Sequence, residues 1–300
     1  MSFNNLPAEY KELWEKAPDI SLNDLPKYSK WPDRLLGLEK WSRPERTRED
    51  IEREFEIETY APQYEYLTNH PTLTDFHALH SALYTESRSG ICSLQGQFKQ
   101  LPIADIYALD NAVIATYIAK YLPAGALVDI GAGTGRTIIS LGEQSDFANL
   151  PLFALEKMPS ARKIIYEIAK RKKMNICVAE CDLTLSPLAH SHGIPKNSIM
   201  YTNSVIYTVS RPAHEVVHDI LQHKPKFVIH FEPFVSYFDT TTLYGKMCTA
   251  YLKMNQYNTS FCSELKAMNG STIEILLEEA EIFTNNPFFS RSVLVWAPKH

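Results

Sequence analysis

The chain has 300 residues, enough for one large domain or for a domain with a substantial appendage. Its 45% hydrophobic and 22% charged residues allow a well-packed core and argue against wholesale disorder. The net charge of -5 disfavours a nucleic-acid partner, because no basic stripe is available to neutralise phosphates.

Neither a membrane span nor a signal peptide is evident. No apolar stretch approaches the roughly 20 residues of a spanning helix, and residues 1–16 lack the charged-then-apolar layout of a signal peptide. Five cysteines, an odd number without CxxC spacing, lie at positions 92, 177, 181, 248 and 262. We therefore predict free thiols, a reducing cytoplasmic location and no membrane partner.

Residues 1–100 are polar and aromatic and contain no long strand-like run. Thr47 and Asp50 form a capping-box pattern that predicts the start of a charged helix. Tyr60 and Tyr64 follow along the same segment, and its aromatic face has to pack on something or cover something. We predict a small, mainly helical region or lid.

Residues 101–300 have a different texture. A long amphipathic helix from residue 103 is followed by short apolar runs that alternate with helical segments. We predict strands at 126–130, 150–156, 175–181, within 198–209 and at 226–232. Near-continuous apolar strands between helices indicate a parallel sheet covered on both faces. At the end of the chain, residues 272–283 fit a strand or a helix, and 292–298 fit a last antiparallel strand.

A glycine-rich loop follows the first of these strands. Gly131, Gly133 and Gly135 let the backbone turn sharply from strand to helix and approach a ligand closely. A GxGxxG dinucleotide fingerprint would need a glycine where Arg136 stands. A phosphate-binding P-loop is excluded as well, because no Gly-Lys-Ser/Thr follows.

The stretch ALVDIGAGTGR, which includes Asp129, resembles the first motif of class I S-adenosylmethionine-dependent methyltransferases. This resemblance implies a seven-stranded, mostly parallel Rossmann-like sheet with helices on both faces over residues 101–300. It also implies S-adenosyl-L-methionine as cofactor, S-adenosyl-L-homocysteine as product and no metal. Residues 1–100 would then form an N-terminal substrate cover.

The resemblance assigns cofactor contacts to the ends of successive strands, where open α/β sheets bind ligands. Glu156 would bind the ribose hydroxyls, since a carboxylate offers two acceptor oxygens to two donors. The other expected cofactor contacts are Asp182 and Leu183 for the adenine, Asn203 and Ser204 for the methionine part, and Asp129, Gly131, Ala132, Gly133, Thr134 and Gly135 in the loop.

Residues near the transferred methyl are the catalytic candidates. Methyl transfer from a sulfonium is an in-line displacement, so the protein mainly aligns the nucleophile and, if needed, removes its proton. Asn203, Tyr201 and His230 are candidates from strand positions, although alternate residues of a buried strand must be core. Glu232 could be a base or hold a cationic substrate, or it could simply satisfy loop amides.

The expected substrate contacts are Tyr60, Tyr64, Tyr207 and Glu232. The favoured function is methylation of an oxygen or nitrogen of a small metabolite or natural-product intermediate. The alternative is a peptide or protein side-chain methyltransferase, with arginine as one acceptor. A non-catalytic cofactor-binding scaffold is disfavoured by the intact loop and ribose carboxylate. A homodimer is compatible with all of these.

The sequence His214-Glu215-Val216-Val217-His218 matches HExxH, in which two helical histidines bind zinc and the glutamate acts as base. In the predicted fold this segment is the helix between the fourth and fifth strands, which packs outside the sheet and away from the cofactor edge. We therefore predict a structural helix and keep a zinc hydrolase as a remote alternative.

Overall fold

The computed structural model describes residues 6–44, 47–76, 78–79, 89–185 and 193–299. In the N-terminal part, short elements follow one another along the chain. They are helix α1 (Ala8–Lys16), strand β1 (Asp19–Ile20), a 3-10 segment (Leu22–Lys27), helix α2 (Trp31–Leu35), helix α3 (Arg48–Glu52), a π-helical segment (Arg53–Tyr60) and helix α4 (Ala61–Asn69).

The predicted capping box starts α3. The Asp50 N–H donates to Thr47 Oγ1 at 3.1 Å, and the Thr47 N–H donates to Asp50 Oδ2 at 3.0 Å. This satisfies two backbone N–H groups at the start of the helix.

A β-hairpin lies in the part of the chain where the sequence shows no long strand-like run. Strands β2 (Ser89–Leu94) and β3 (Gln97–Pro102) pair antiparallel, and β1 pairs with β3. Gln95 and Gly96 both have positive φ, 52° and 75°, as a type I′ two-residue turn requires. Gln-Gly is a weaker signal than Asn-Gly, which is why the hairpin was missed. The boundary drawn at residue 100 falls inside β3.

The remaining helices and strands are the predicted ones together with one helix that was not predicted, α10 (Phe261–Ala267). They are α5 (Ile103–Ala119), β4 (Leu127–Ile130), α6 (Arg136–Gly142), β5 (Leu152–Glu156), α7 (Pro159–Arg171), β6 (Ile176–Glu180), β7 (Ile199–Asn203), α8 (Ala213–Leu221), β8 (Phe227–Glu232), α9 (Leu243–Met254), α10 (Phe261–Ala267), β9 (Ile273–Glu279) and β10 (Ser292–Pro298). The ambiguous segment 272–283 therefore contains a strand.

The main sheet has seven strands in the order β6-β5-β4-β7-β8-β10-β9. Strands β4 to β8 pair in parallel, whereas β10 runs antiparallel to both β8 and β9. The predicted doubly covered, mostly parallel sheet is thus confirmed. The chain order reverses between β4 and β7, and ligands bind at such a point in open α/β sheets.

Each face of the sheet packs against its own set of helices. Ile114 of α5 and Ile165 of α7 belong to the cluster on one face, and Val217 of α8 and Leu265 of α10 to the cluster on the other. A third cluster joins the N-terminal part to α9, for example through Leu25. Burial on both faces explains the near-continuous apolar strands.

All five cysteines are free thiols, as predicted, and only Cys177 is exposed. Among the described helices, none combines the length and the apolar character needed to cross a membrane.

Candidate functional site

The glycine loop connects β4 to α6 at the switch point of the sheet. Gly131, Gly133 and Gly135 have φ of 76°, 55° and 80°, a region that side chains other than glycine rarely adopt. A Cβ on Gly131 would lie 2.5 Å from Val205, and one on Gly135 would lie 2.7 Å from Ile165. Two of the glycines are therefore required by packing beneath the loop.

Gly133 differs from the other two glycines because it faces a cleft. A Cβ there would lie 3.3 Å from the Tyr60 hydroxyl, across the cleft. Its N–H donates to Glu156 Oε2 at 2.7 Å, and the Met158 N–H donates to Glu156 Oε1 at 2.8 Å. The structure thus brings the predicted ribose carboxylate against the middle of the loop. Burial raises the pKa of Glu156, and the N–H groups of Met158 and Gly133 oppose that rise.

Asp182, the residue expected near the adenine, has both carboxylate oxygens engaged. Oδ1 accepts from the N–H and hydroxyl of Thr184, and Oδ2 pairs with Arg48 at 2.8 Å and with Lys157 at 3.2 Å. Burial acts to raise the pKa of Asp182, but the Thr184 hydrogen bonds and Lys157 lower it overall. Leu183 is buried beside it. Arg48 belongs to α3, so the N-terminal part reaches this end of the sheet.

A cleft of about 310 Å³ opens beside the glycine loop. Its floor includes Ala132, Gly133 and Thr134 of the loop, together with Asn203 and Ser204 from the end of β7. The N-terminal part and the segment after β7 supply the other side, which comprises Phe55, Tyr60, Gln63, Phe76, Leu79 and Tyr207.

Tyr60 and Tyr207, both predicted substrate contacts, line this cleft. The Tyr207 ring is held by edge contacts with Tyr257, at 4.5 Å between centroids, and with Phe289, at 4.8 Å. Tyr64 is not among the lining residues. Its ring instead lies 5.5 Å from Lys163 Nζ of α7, so this predicted substrate contact packs on the sheet domain.

A buried charge network supports the floor of the cleft. Asp110 of α5 pairs with Arg136 at 3.0 Å and also with Arg291, which precedes β10. Arg291 donates to Asn203 Oδ1 and, at 3.0 Å, to the Phe283 carbonyl. Burial acts to raise the pKa of Asp110, but Arg291 and Arg136 outweigh it and lower the pKa.

Sequence reasoning missed this network. One signal was available: Asp110-Asn111 interrupts the otherwise apolar run of α5, and a charge in that position needs a partner. The partner Arg291 lies 181 residues away along the chain. No local pattern points to it.

Tyr201 lies inside the sheet and not at the cleft. It is fully buried, and its hydroxyl donates to Asp129 Oδ2 at 2.8 Å. Burial raises the pKa of Tyr201 well above its ordinary value, and Asp129 adds to this rise. These facts argue against the catalytic role predicted for Tyr201. Burial raises the pKa of Asp129 to about 7. Its hydrogen bond with Tyr201 gives Asp129 a structural role under the loop.

His230 is buried in the same way. Trp296 Nε1 donates to His230 Nε2 at 3.0 Å, and Nδ1 lies 2.9 Å from Thr202 Oγ1. Burial lowers the pKa of His230 to about 3, so the ring is neutral and its proton lies on Nδ1, toward Thr202. A core histidine without access to the cleft cannot take a proton from a substrate, so the predicted catalytic role is not supported.

Glu232 is fully buried beneath the segment that follows β7. Both of its oxygens accept from the Val205 N–H, at 2.9 and 3.0 Å. Burial raises the pKa of Glu232 to about 7 in spite of this hydrogen bond. The carboxylate therefore satisfies a loop amide and holds Val205 against Gly131. That geometry argues against the predicted roles as base and as substrate ligand.

The HEVVH segment forms the predicted outer helix, α8. His214, Glu215 and His218 are exposed, whereas Val216 and Val217 pack on the sheet. Glu215 is paired with Arg211 at 3.1 Å, so the carboxylate that a zinc hydrolase would use as base is engaged. In the described ranges, no group of three or more His, Cys, Asp or Glu side chains is placed to hold a metal ion.

No model of a protein family matches the chain, and no curated protein matches it. The order of the seven strands, with β10 antiparallel to both β8 and β9, is that of the mostly parallel Rossmann-like sheet that the sequence resemblance implied. The fold is therefore established from the strand topology.

Solved structures of similar fold include magnesium protoporphyrin IX methyltransferase from Synechocystis PCC 6803 with bound SAH. It has 13% identity, covers 67% of this chain and 89% of that one, and has a TM-score of 0.45. Geranyl diphosphate methyltransferase in complex with GPP and sinefungin has 13% identity, coverage of 80% and 99%, and a TM-score of 0.47.

A third similar structure is a putative S-adenosyl-L-methionine-dependent methyltransferase from Methanococcus maripaludis. It has 14% identity, coverage of 87% and 98%, and a TM-score of 0.45. At these identities and TM-scores, the three similarities indicate neither a substrate nor an activity for this chain.

Proposed function

We propose that this protein is an S-adenosyl-L-methionine-dependent methyltransferase that modifies an oxygen or nitrogen of a small metabolite, such as a natural-product intermediate. The observation that carries the proposal is the pairing of the Gly133 N–H with the Glu156 carboxylate. It joins a glycine loop built for close approach to a carboxylate suited to two ribose hydroxyls.

The residues present fit such a cofactor. Gly131 and Gly135 are fixed by packing below the loop, whereas Gly133 itself adds no side chain to the cleft. Glu156 can exchange its backbone hydrogen bonds for ribose hydroxyls, and Leu183 lies next to Asp182 for the adenine side. Asn203 and Ser204 line the cleft where the methionine part is expected.

The cofactor would supply an electrophilic methyl group, which an acceptor oxygen or nitrogen takes while the carbon–sulfur electron pair returns to sulfur. Among the described residues that line the cleft, there is no histidine and no carboxylate. The chain's contribution is therefore alignment of the acceptor by Asn203, Ser204 and Tyr207, and exclusion of water by the cover. The acceptor's proton passes to water when the methylated product leaves the cleft.

The peptide alternative relied on Glu232 and the acidic N-terminal helix to receive a basic side chain. Because Glu232 is buried and bonded to Val205, it offers no charge to the cleft. This observation favours a small acceptor over an arginine-containing one.

The test is calorimetric titration with S-adenosylhomocysteine. Glu156→Ala should weaken binding by about 1.5–3 kcal/mol, the scale for losing hydrogen bonds to a charged group. Glu180→Ala is the matched control, because Glu180 lies opposite Glu156 on the adjacent strand but is largely exposed and paired with Arg162. Glu156→Gln keeps one acceptor oxygen, so its affinity for S-adenosylhomocysteine should lie between those of Glu156→Ala and Glu180→Ala.

Unchanged affinity in a folded Glu156→Ala variant would remove Glu156 from the ribose site. Failure of the wild-type protein to bind S-adenosylhomocysteine would refute the proposed function. If zinc were also present in the purified protein, the HEVVH helix would become the leading candidate.

A further inference from the structure

Gln63 is a buried polar residue with no role in the fold described so far. It lies on α4, one turn before the fully buried Leu67, so the two share the inward face of the helix. The side chain is only 6% exposed, and it lines the cleft beside the glycine loop. Its amide makes no hydrogen bond to another described residue, but it is not one of the fully enclosed polar atoms, so it reaches the open space of the cleft.

The Gln63 amide opens into the cleft and has no partner among the described residues, so in the empty protein only water in the cleft can satisfy it. A ligand in the cleft could take the place of that water and form the hydrogen bonds instead.

The surroundings of Gln63 define the chemistry of that ligand. Phe55, Tyr60, Phe76 and Tyr207 give the cleft flat aromatic walls. Arg136 is the charged residue among the described lining, and its guanidinium is already paired with Asp110. The described lining residues include no carboxylate that could receive a cation, so this part of the cleft suits an uncharged ring system.

We propose that Gln63 is a specificity-determining residue that hydrogen-bonds an uncharged aromatic acceptor carrying a hydroxyl or amide group. The primary amide can donate and accept at once, which matches a hydroxyl or an amide better than an ionised group. This inference rests on the proposed methyltransferase function, because it names the acceptor class of the same site.

The experiment compares wild type with Gln63→Leu, which has similar volume but no polar atoms. Gln222→Leu is the matched control, since Gln222 is exposed at the end of α8. Each protein is first titrated with S-adenosylhomocysteine. The loaded protein is then titrated with naphthol and hydroxyindole as neutral aromatic probes, and with agmatine as a cationic one. Thermal unfolding is measured without ligand.

We expect Gln63→Leu to bind both aromatic probes about 10-fold more weakly while keeping its affinity for S-adenosylhomocysteine. Its ligand-free Tm should stay within about 2 °C of the wild-type value, because the amide has no hydrogen bond to a described residue that the substitution could remove. A Gln63 that served only the fold would give a lower Tm instead. Gln222→Leu should change none of these, and agmatine should not bind.

The experiment distinguishes a wrong role for Gln63 from a wrong methyltransferase function. If S-adenosylhomocysteine binds but neither aromatic probe does, the acceptor class is wrong and the methyltransferase proposal stands. Equal binding of the probes by Gln63→Leu, or a lowered Tm, would also overturn the role of Gln63. If S-adenosylhomocysteine does not bind the wild type, the function fails and this inference fails with it.

Discussion

Replacing Asp110 by Asn tests the buried network beneath the cleft. The substitution keeps the shape of the side chain but removes the negative charge between Arg136 and Arg291. The Asp110 and Arg291 side chains are only 4% and 5% exposed, so water cannot take over the role of the lost carboxylate. The substitution also replaces one carboxylate oxygen of Asp110 by an NH₂ group, so a hydrogen-bond donor then faces the donor groups of an arginine.

The expected cost follows from this burial. Breaking a buried ion pair by removing one partner typically costs about 3–5 kcal/mol, because an uncompensated charge stays in the interior. Domains are stable by roughly 5–15 kcal/mol in total. At about 2.1 cal/mol/K of unfolding entropy per residue, the loss corresponds to a Tm lower by about 5–8 °C. Asp105→Asn is the control on the same helix, since Asp105 is half-buried, and it should cost less than about 1 kcal/mol.

The assay is urea and thermal unfolding followed by circular dichroism, repeated as a function of pH. Arg291 and Arg136 lower the pKa of Asp110 against the effect of burial. The stabilisation is therefore present above the unfolded pKa of about 3.9 and is lost as the pH falls through the folded value. Asp110→Asn should differ most from wild type near neutral pH, and the difference should shrink in acid.

A double variant sharpens the test. Adding Arg291→Gln to Asp110→Asn removes one unpaired cation, so the double variant should be more stable than the sum of the two single effects predicts. An Asp110→Asn cost below about 1 kcal/mol, or strict additivity, would refute the claim that this network is a coupled buried unit.

Two further outcomes are expected. Burial raises the pKa of Asp129 to about 7, so the folded state holds the proton more tightly and wild-type stability falls as pH rises from about 4 to about 7. The Asp129→Asn side chain can still accept a hydrogen bond from Tyr201. Between about pH 5 and about pH 7 the free energy of unfolding of this variant should fall by about 2 kcal/mol less than that of wild type, at about 1.4 kcal/mol per pH unit. Identical pH profiles of the two proteins would contradict this. Arg48→Ala should reduce the salt dependence of S-adenosylhomocysteine release, because the exposed Arg48–Asp182 pair ties α3 to the sheet and is screened by salt. Stopped-flow release at low and high salt measures this, and equal salt dependence in both proteins would count against α3 as a cover.

Local patterns were sufficient for much of the fold. The strand predicted at 126–130 is Leu127–Ile130, and the one at 226–232 is Phe227–Glu232. Both are apolar runs buried on two faces, so their own residues define them. The glycine loop and the Thr47–Asp50 capping box were equally local, because each depends on residues within one or two turns of chain.

The site was less predictable because its polar residues obtain their roles from distant partners. Asp110 is explained by Arg291, and Gln63 by a cleft whose other wall comes from residues after β7. The Gln95-Gly96 turn was missed for a different reason, since its positive φ values are less common with glutamine than with asparagine.

The carboxyl end of β8 shows why position at a strand end is not sufficient for a role in the cleft. Glu232 is the last residue of β8, and the sequence placed it at the ligand-binding edge for that reason. In the sheet it lies between β7 and the antiparallel β10, with Ser292 directly opposite. Because β10 runs the other way, the chain before it, including Arg291, extends past the end of β8 and covers it. Asn203 on β7 has no antiparallel neighbour, so it reaches the cleft. The register of β10 therefore determines that Glu232 is covered while Asn203 reaches the cleft. That register depends on pairing across the sheet, and no motif in β8 encodes it.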